Sequence, residues 1–182
     1  MTIFELIDDG DAEGVRELLA RDPGAAGARD GQGLSALMRS FYRGGGEVLE
    51  AIRAADPPLD GWGRLLLGET DGLPAPDAWS PDGFSPLHIA AFAHNADAVR
   101  ALIAAGADVD ALATASFAPV TPLGTAASFG AAEVAKILLE HGADPEKTSD
   151  DRHTPLQVAI ANGHADVVDL LLAHGARRRD DG

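Results

Sequence analysis

The fold is decided by the stretch Phe84-Ser85-Pro86-Leu87-His88-Ile89-Ala90-Ala91, because two related stretches follow it. They are Thr121-Pro122-Leu123-Gly124-Thr125-Ala126-Ala127 and His153-Thr154-Pro155-Leu156-Gln157-Val158-Ala159. The Ser/Thr-Pro pairs start 36 and 33 residues apart. Serine and threonine are good N-caps and proline suits the first helical position, so each stretch begins a helix. The sequence therefore predicts tandem units that share one local structure.

A second helix is predicted in each of these units. Apolar residues fall at i, i+3 and i+4 in Val99-Leu102-Ile103, Val134-Ile137-Leu138 and Val167-Leu170-Leu171, which makes one apolar stripe per helix. Glycine then ends each helix, at Gly106, Gly142 and Gly175. No unit can bury its stripe alone, so we expect neighbours to stack with Leu102, Leu138 and Leu170 at equivalent buried sites.

Two degenerate copies precede the three clear ones. Gly33-Leu34-Ser35-Ala36-Leu37-Met38 leads to an apolar helix that ends near Asp56, and residues 3–7 lead to the apolar residues of 15–19. Degenerate end units are expected, because an end unit has only one neighbour. A single domain, 1–182, is predicted, with units at about 1–29, 30–60, 80–111, 118–146 and 150–178.

The three clear copies resemble the ankyrin repeat, whose period is 33 residues and whose pattern includes Thr-Pro-Leu-His-x-Ala. The resemblance implies an all-α solenoid of about five helix–turn–helix units, with one long insertion between the second and third units. It also implies a protein-binding module that is not an enzyme. His88 stands at the family's histidine position, where the resemblance implies a structural hydrogen-bonding role.

The insertion lengthens one connection of the chain. Asp56 and Ser85 are 29 residues apart, whereas the comparable Gly142 and Thr154 are 12 apart, so about 17 residues are added. The added residues cover about 61–79, with Trp62 and Trp79 at the two ends and one helical turn expected near 64–67. A loop of this length tends to be functional or disordered. Two interpretations stay open: the insertion plugs a gap between units, or it contacts a partner.

Aromatic residues concentrate where the resemblance places partner contacts. In the family these are the residue before the Thr-Pro pair and the two residues after the Ala-Ala step. Interface hot spots favour aromatic residues. Together with the insertion and the long finger after Gly106, these positions predict a partner-binding set: Tyr42, Arg43, Trp62, Trp79, Phe84, Phe92, Phe117, Val120, Phe129, His153 and Asn162. In the competing interpretation, the tryptophans of the insertion pack on Phe84 and Phe92 and cover the groove.

The charge limits the choice of partner. The 14 basic and 29 acidic residues give a formal net charge of −15, which repels nucleic acid and anionic lipid. We therefore expect a protein partner with a basic rim, no nucleic acid and no membrane partner. Solubility alone would also explain the charge, and an acidic mimic of nucleic acid would need its carboxylates in a row on one face.

No catalytic, cofactor or metal site is predicted. The chain has no cysteine, and none of its six histidines forms a His-x-x-x-His pair on one helix. The alternative is an enzyme or small-ligand site between the insertion and the groove. The start lacks a signal-peptide pattern and no apolar run is of spanning length, so we expect a cytoplasmic protein. A monomer is also expected. Abundant alanine, glycine, aspartate and arginine is typical of a GC-rich bacterial source.

Overall fold

A computed structural model of the chain describes residues 1–115, 120–148 and 153–178. The predicted contact residue Phe117 lies outside the described residues. Within these ranges the regular structure is helical and contains no strand, which confirms the all-α prediction; an isolated bridge joins Arg29 to Ser35. None of the described helices combines the length and apolar character needed to cross a membrane. The chain divides into two compact units, Met1–Arg64 and Leu65–Gly182.

The first unit contains two helix–turn–helix pairs. Helix α1 packs on α2 and α3, while α4 packs on α2 and α3. A short 3-10 turn, Pro23–Gly27, connects the two pairs, and α5 begins at the end of this unit. The bounds are α1 Ile3–Asp9, α2 Ala12–Arg21, α3 Ala36–Tyr42, α4 Gly46–Ala54 and α5 Gly61–Leu66.

The second unit contains three stacked helix pairs. Its inner row is formed by α6, α8 and α10, and its outer row by α7, α9 and α11, each helix packing on its neighbours in the row. This is the side-by-side arrangement expected when one apolar stripe cannot be buried within a single pair. The bounds are α6 Pro86–Phe92, α7 Ala96–Ala104, α8 Pro122–Phe129, α9 Ala132–Glu140, α10 Pro155–Ala161 and α11 Ala165–Ala173.

The inner helices of this unit begin where the Ser/Thr-Pro pairs predict. The Thr121 hydroxyl oxygen accepts the N–H of Gly124 at 3.0 Å, and the Thr154 hydroxyl oxygen accepts the N–H of Gln157 at 3.3 Å. Proline occupies the first position of each helix, where its missing N–H has no helical partner to lose. Short polar caps and proline therefore fix the register of the repeats.

The outer helices bury one leucine each at their seventh position. Leu102, Leu138 and Leu171 are at most 2% exposed. The predicted equivalence of Leu170 was wrong by one residue, since Leu170 is only half-buried. The stripe in α7 begins at Ala98, which is as buried as its counterparts in the other two outer helices. Alanine gives a weak hydrophobic signal, so the sequence pattern aligns Val99, not Ala98, with the first buried residues of α9 and α11. This alignment shifts the register of the outer helices by one residue.

Candidate functional site

Phe92 and Phe129 form an aromatic pair at the C-terminal ends of α6 and α8. Their ring centroids are 4.5 Å apart and the ring planes meet at 75°, an edge-to-face arrangement that aromatic pairs prefer. Phe129 is 48% exposed and Phe92 is half-buried. The stacking of α6 on α8 thus brings two predicted contact residues together and leaves an aromatic surface open to solvent.

The end of α8 is held by residues of the following pair. The carbonyl of Ser128 accepts hydrogen bonds from the Asn162 side-chain amide at 3.0 Å and from Nε2 of His164 at 3.2 Å. Asn162 is a predicted contact residue and is exposed. Its hydrogen bond to Ser128 also joins α10 to α8. Gly130 follows with φ of 69°, and a Cβ there would lie 2.6 Å from Nδ1 of His164. This close approach fixes the chain beside Phe129.

His88 lies beside the ring of Phe84 and has a structural role. Its Nδ1 accepts the Ser85 N–H at 3.2 Å, and its Nε2 lies 2.9 Å from the carbonyl oxygen of Val120. The Phe84 and His88 ring centroids are 5.8 Å apart. Both Phe84 and Val120 are half-buried contact predictions. His88 thus has the hydrogen-bonding role that the resemblance implied, and it links the first and second helix pairs of the second unit.

Ser85 and His88 also have the spacing of an activated serine. The Ser85 Oγ lies 2.7 Å from Nδ1 of His88. Burial lowers the pKa of His88 to about 4, against the hydrogen bond with Val120. An imidazole with such a pKa is a poor general base at neutral pH. Both side chains are buried as well, so the pair caps α6 and is poorly suited to nucleophilic catalysis.

Asn95 holds the part of the insertion that belongs to the second unit, near residues 65–69. The Asn95 Oδ1 caps α7 by accepting the Ala98 N–H at 3.0 Å. Its Nδ2 donates to the carbonyl oxygens of Leu65 at 3.2 Å and Glu69 at 3.3 Å. One buried side chain therefore both starts a repeat helix and holds residues 65–69 of the insertion.

The end of the insertion leaves Trp79 at the surface. Trp79 is 46% exposed, and among the described residues no aromatic ring contact involves it. The competing interpretation, in which the tryptophans of the insertion pack on Phe84 and Phe92 and cover the groove, stays a prediction. The expected helical turn is present as α5, which holds a half-buried Trp62 in the first unit.

A small pocket opens beside Trp79, where the insertion meets the finger after α7. Its volume is about 210 Å³. It is lined by Pro76, Asp77, Ala78, Trp79, Ser85, Gly106, Asp108 and Ala111. Among these residues, the sequence predicts only Trp79 as a partner contact. Asp77 could have been found from its place two residues earlier, whereas Asp108 joins the pocket only through the fold.

The first unit carries a charged cluster that the sequence analysis missed. Arg39 lies 2.9 Å from Asp30 and also pairs with Asp8, and its guanidinium lies 5.7 Å from the ring centroid of Phe4. The hydrogen bond from Arg39 lowers the pKa of Asp8. Arg43, a predicted contact residue, also pairs with Asp8 at 3.0 Å. The guanidinium of Arg43 is therefore ion-paired with a carboxylate of its own unit.

The predicted contact residues are thus distributed over both units. The first unit holds Tyr42, Arg43 and Trp62, with Tyr42 half-buried at the end of α3. The second unit holds Trp79, Phe84, Phe92, Val120, Phe129, Asn162 and the exposed His153. In the part of the chain that the structure describes, no three His, Asp or Glu side chains are grouped so that they could hold a metal ion.

Comparison with known proteins gives two family matches. Residues 113–180 match the family described as ankyrin repeats in three copies, and residues 82–113 match the single ankyrin repeat. Two curated relatives are the human and mouse proteins named protein phosphatase 1 regulatory subunit 27. The human protein is 37% identical over 71 residues, which are 39% of this chain and 44% of the relative. The mouse protein is 32% identical over 103 residues, which are 57% of this chain and 62% of the relative.

The chain therefore spans about half the length of the curated relatives that it matches. The two family matches together run from residue 82 to residue 180, which is more than half of the chain, and they contain all three stacked pairs of the second unit. The Ser/Thr-Pro caps and the buried leucines of the outer helices recur in these pairs. On this evidence the chain belongs to the ankyrin-repeat family.

Proposed function

We propose that this chain is a non-catalytic module that binds a partner protein through the aromatic pair of Phe92 and Phe129 and through its finger loops. The observation that carries the proposal is the 48% exposure of Phe129 in edge-to-face contact with Phe92. Large aromatic side chains on a rigid, solvated surface are the residue type that dominates protein interfaces. The family supports the same conclusion, since its members stack rigid pairs that present extended binding surfaces.

The aromatic pair would supply most of the affinity. By area, burying the exposed half of Phe129 contributes about 1 kcal/mol. Truncation of a hot-spot residue costs about 2 kcal/mol or more, because its neighbours also lose their packing. The net charge of −15 would mainly raise the association rate of a partner with a basic rim. The same charge disfavours nucleic acid and anionic membranes as partners.

Two further observations support a non-catalytic role. The low pKa of His88 makes the Ser85–His88 pair a poor catalyst. The pocket beside Trp79 is lined by two carboxylates, by Ser85 and by apolar groups, and by no histidine. The name of the curated relatives makes protein phosphatase 1 the first partner to test. A cytoplasmic location and a monomeric state remain predictions.

The test is affinity capture from the source organism with the wild-type chain and with the double variant Phe92→Ala/Phe129→Ala. A matched control is Ile160→Ala, since Ile160 is apolar and 47% exposed but lies in α10. We expect the double variant to bind the captured partner at least about 30-fold more weakly and Ile160→Ala to bind normally. Purified protein phosphatase 1 is assayed in parallel.

The interpretation of this test requires folded proteins. Phe129 is half-exposed, so Phe129→Ala should leave the far-ultraviolet circular dichroism and the cooperative urea transition in place. Unfolding of the double variant would mean that the pair is core and not surface. Equal capture by wild type and by a folded double variant would remove the aromatic pair from the interface.

A further inference from the structure

The pocket beside Trp79, here called the Trp79 pocket, has the size of a single side chain. Its volume of about 210 Å³ lies below the roughly 300–1,000 Å³ of drug-sized ligand sites. One wall is the insertion at 76–79 and the opposite wall is the finger at 106–111. The exposed indole of Trp79 gives the pocket an aromatic surface that its own unit leaves uncovered.

Two carboxylates give the same pocket a negative charge. Asp77 and Asp108 both line it and both are exposed. In the described ranges no Lys, Arg or His forms an ion pair with either residue. The Asp108 Oδ1 accepts the N–H of Asp110 at 3.0 Å, which holds this carboxylate in place in the finger. The pocket therefore combines an aromatic face with carboxylates that lack a counter-ion.

We propose that the Trp79 pocket binds an arginine side chain of the partner protein. A guanidinium stacks on the face of an indole and is attracted by the ring electrons, and its planar N–H groups can donate to carboxylates at the same time. A neutral side chain would gain no charge attraction from Asp77 and Asp108, and an acidic one would be repelled. This inference rests on the proposed function, because the arginine belongs to the bound protein.

Backbone hydrogen bonds restrain both segments that form the Trp79 pocket. The N–H of Ala78 donates to the carbonyl of Ala75 at 2.9 Å, which forms a turn just before Trp79. The Thr114 N–H donates to the carbonyl of Gly83 at 2.9 Å and joins the finger to the segment that follows the insertion. A preformed site loses little conformational entropy on binding, so a single side chain can give a measurable signal.

The experiment titrates the full chain with the tripeptide acetyl-Gly-Arg-Gly-amide and follows the ¹⁵N-labelled protein by NMR. The chain has two tryptophans, and the Trp79 indole N–H signal is assigned by its loss in Trp79→Leu. We expect the arginine peptide to shift this signal and the backbone amides of Asp77, Ala78 and Asp108. The same peptide with citrulline, which keeps the shape and loses the charge, should shift them at least about fivefold more weakly.

Variants separate the pocket from the general acidity of the surface. Trp79→Leu should weaken binding of the arginine peptide about two- to fivefold, and Asp108→Asn about twofold or more. Asparagine retains an oxygen that can accept the Asp110 N–H, so the finger keeps its turn. Asp71→Asn removes an exposed carboxylate of the insertion that does not line the pocket, and it should leave binding unchanged.

The inference is overturned if the citrulline peptide binds as well as the arginine peptide. Equal weakening by Asp71→Asn and Asp108→Asn would also overturn it, because the shifts would then report net charge alone. The result is independent of the aromatic pair: Phe129→Ala should leave the tripeptide titration unchanged while it lowers partner capture. Failure of the Trp79 pocket and failure of the proposed function are thereby distinguished.

Discussion

Replacement of His88 by glutamine should remove a large acid-induced loss of stability. His88 is 1% exposed, its Nδ1 accepts an N–H and burial lowers its pKa from 6.5 to about 4. Between these values the unfolded chain binds a proton at this histidine and the folded chain does not. The free energy of unfolding therefore falls as the pH falls, by about 1.36 kcal/mol for each pH unit. Over the whole window the loss from this residue is roughly 3 kcal/mol.

Glutamine is the matched replacement because the third pair of the second unit uses it at the same position. There the Gln157 Oε1 accepts the Thr154 N–H at 3.0 Å, as Nδ1 of His88 accepts the Ser85 N–H. The His88→Gln amide can also donate to the carbonyl of Val120. We expect the variant to lie within about 1 kcal/mol of wild type above pH 6.5 and to be the more stable protein near pH 4.

The assay is urea denaturation at several pH values between 6.5 and 4, with wild type, His88→Gln and the exposed-site control His153→Gln. In all three proteins, protonation of ion-paired carboxylates lowers the free energy of unfolding in acid by the same amount. The difference in unfolding free energy between each variant and wild type therefore isolates the contribution of the replaced histidine. NMR titration of the imidazole reports the protonation of His88 directly. Parallel stability curves for wild type and His88→Gln would refute the assignment of a buried neutral imidazole.

Two further substitutions test how the repeats and the insertion are joined, and both are measured by urea denaturation. Gly130→Ala should destabilise the chain by about 1–3 kcal/mol more than Gly163→Ala. Both glycines have a left-handed backbone, but only at Gly130 would a Cβ meet a neighbouring side chain, and equal losses would contradict that contact. Asn95→Ala should cost about 2–3 kcal/mol, whereas Asn95→Ser keeps the helix cap and should recover about 1 kcal/mol. Hydrogen exchange of residues 65–69 should rise in both Asn95 variants; protection as in wild type would show that the side chain does not anchor the insertion.

The repeated fold could be predicted because its determinants are local. A hydroxyl cap followed by proline specifies where α6, α8 and α10 begin, and this signal needs only adjacent residues. The outer helices were placed correctly, but their register was misjudged in one case. Ala98 carries too little apolar character to mark a stripe, so the sequence pattern aligns Val99 with Val134 and Val167 and predicts Leu170 in place of Leu171.

The candidate site could be predicted only in part because it combines repeated and unrepeated contacts. Phe92 and Phe129 fall at positions where every pair presents a side chain, so the stacking of α6 and α8 brings them together. Asn162 was also placed by this rule, but its amide proved to join α10 to α8. The contact between the Asn95 side chain and the start of the insertion links residues 26 and 30 positions apart, and no repeat pattern encodes it.

Exposure in such a chain depends on the neighbour as much as on the residue. Ala91 and Ala127 are 0% exposed on helices that a following helix pair contacts, whereas Ile160 at the same position of α10 is 47% exposed. In the described residues no further pair packs on that side of α10. Ile160 is thus exposed on α10 where no described helix covers it. Phe129 is different, since it is exposed at the end of α8, which packs on both α6 and α10, and an aromatic surface maintained inside the stack is the stronger sign of a binding site.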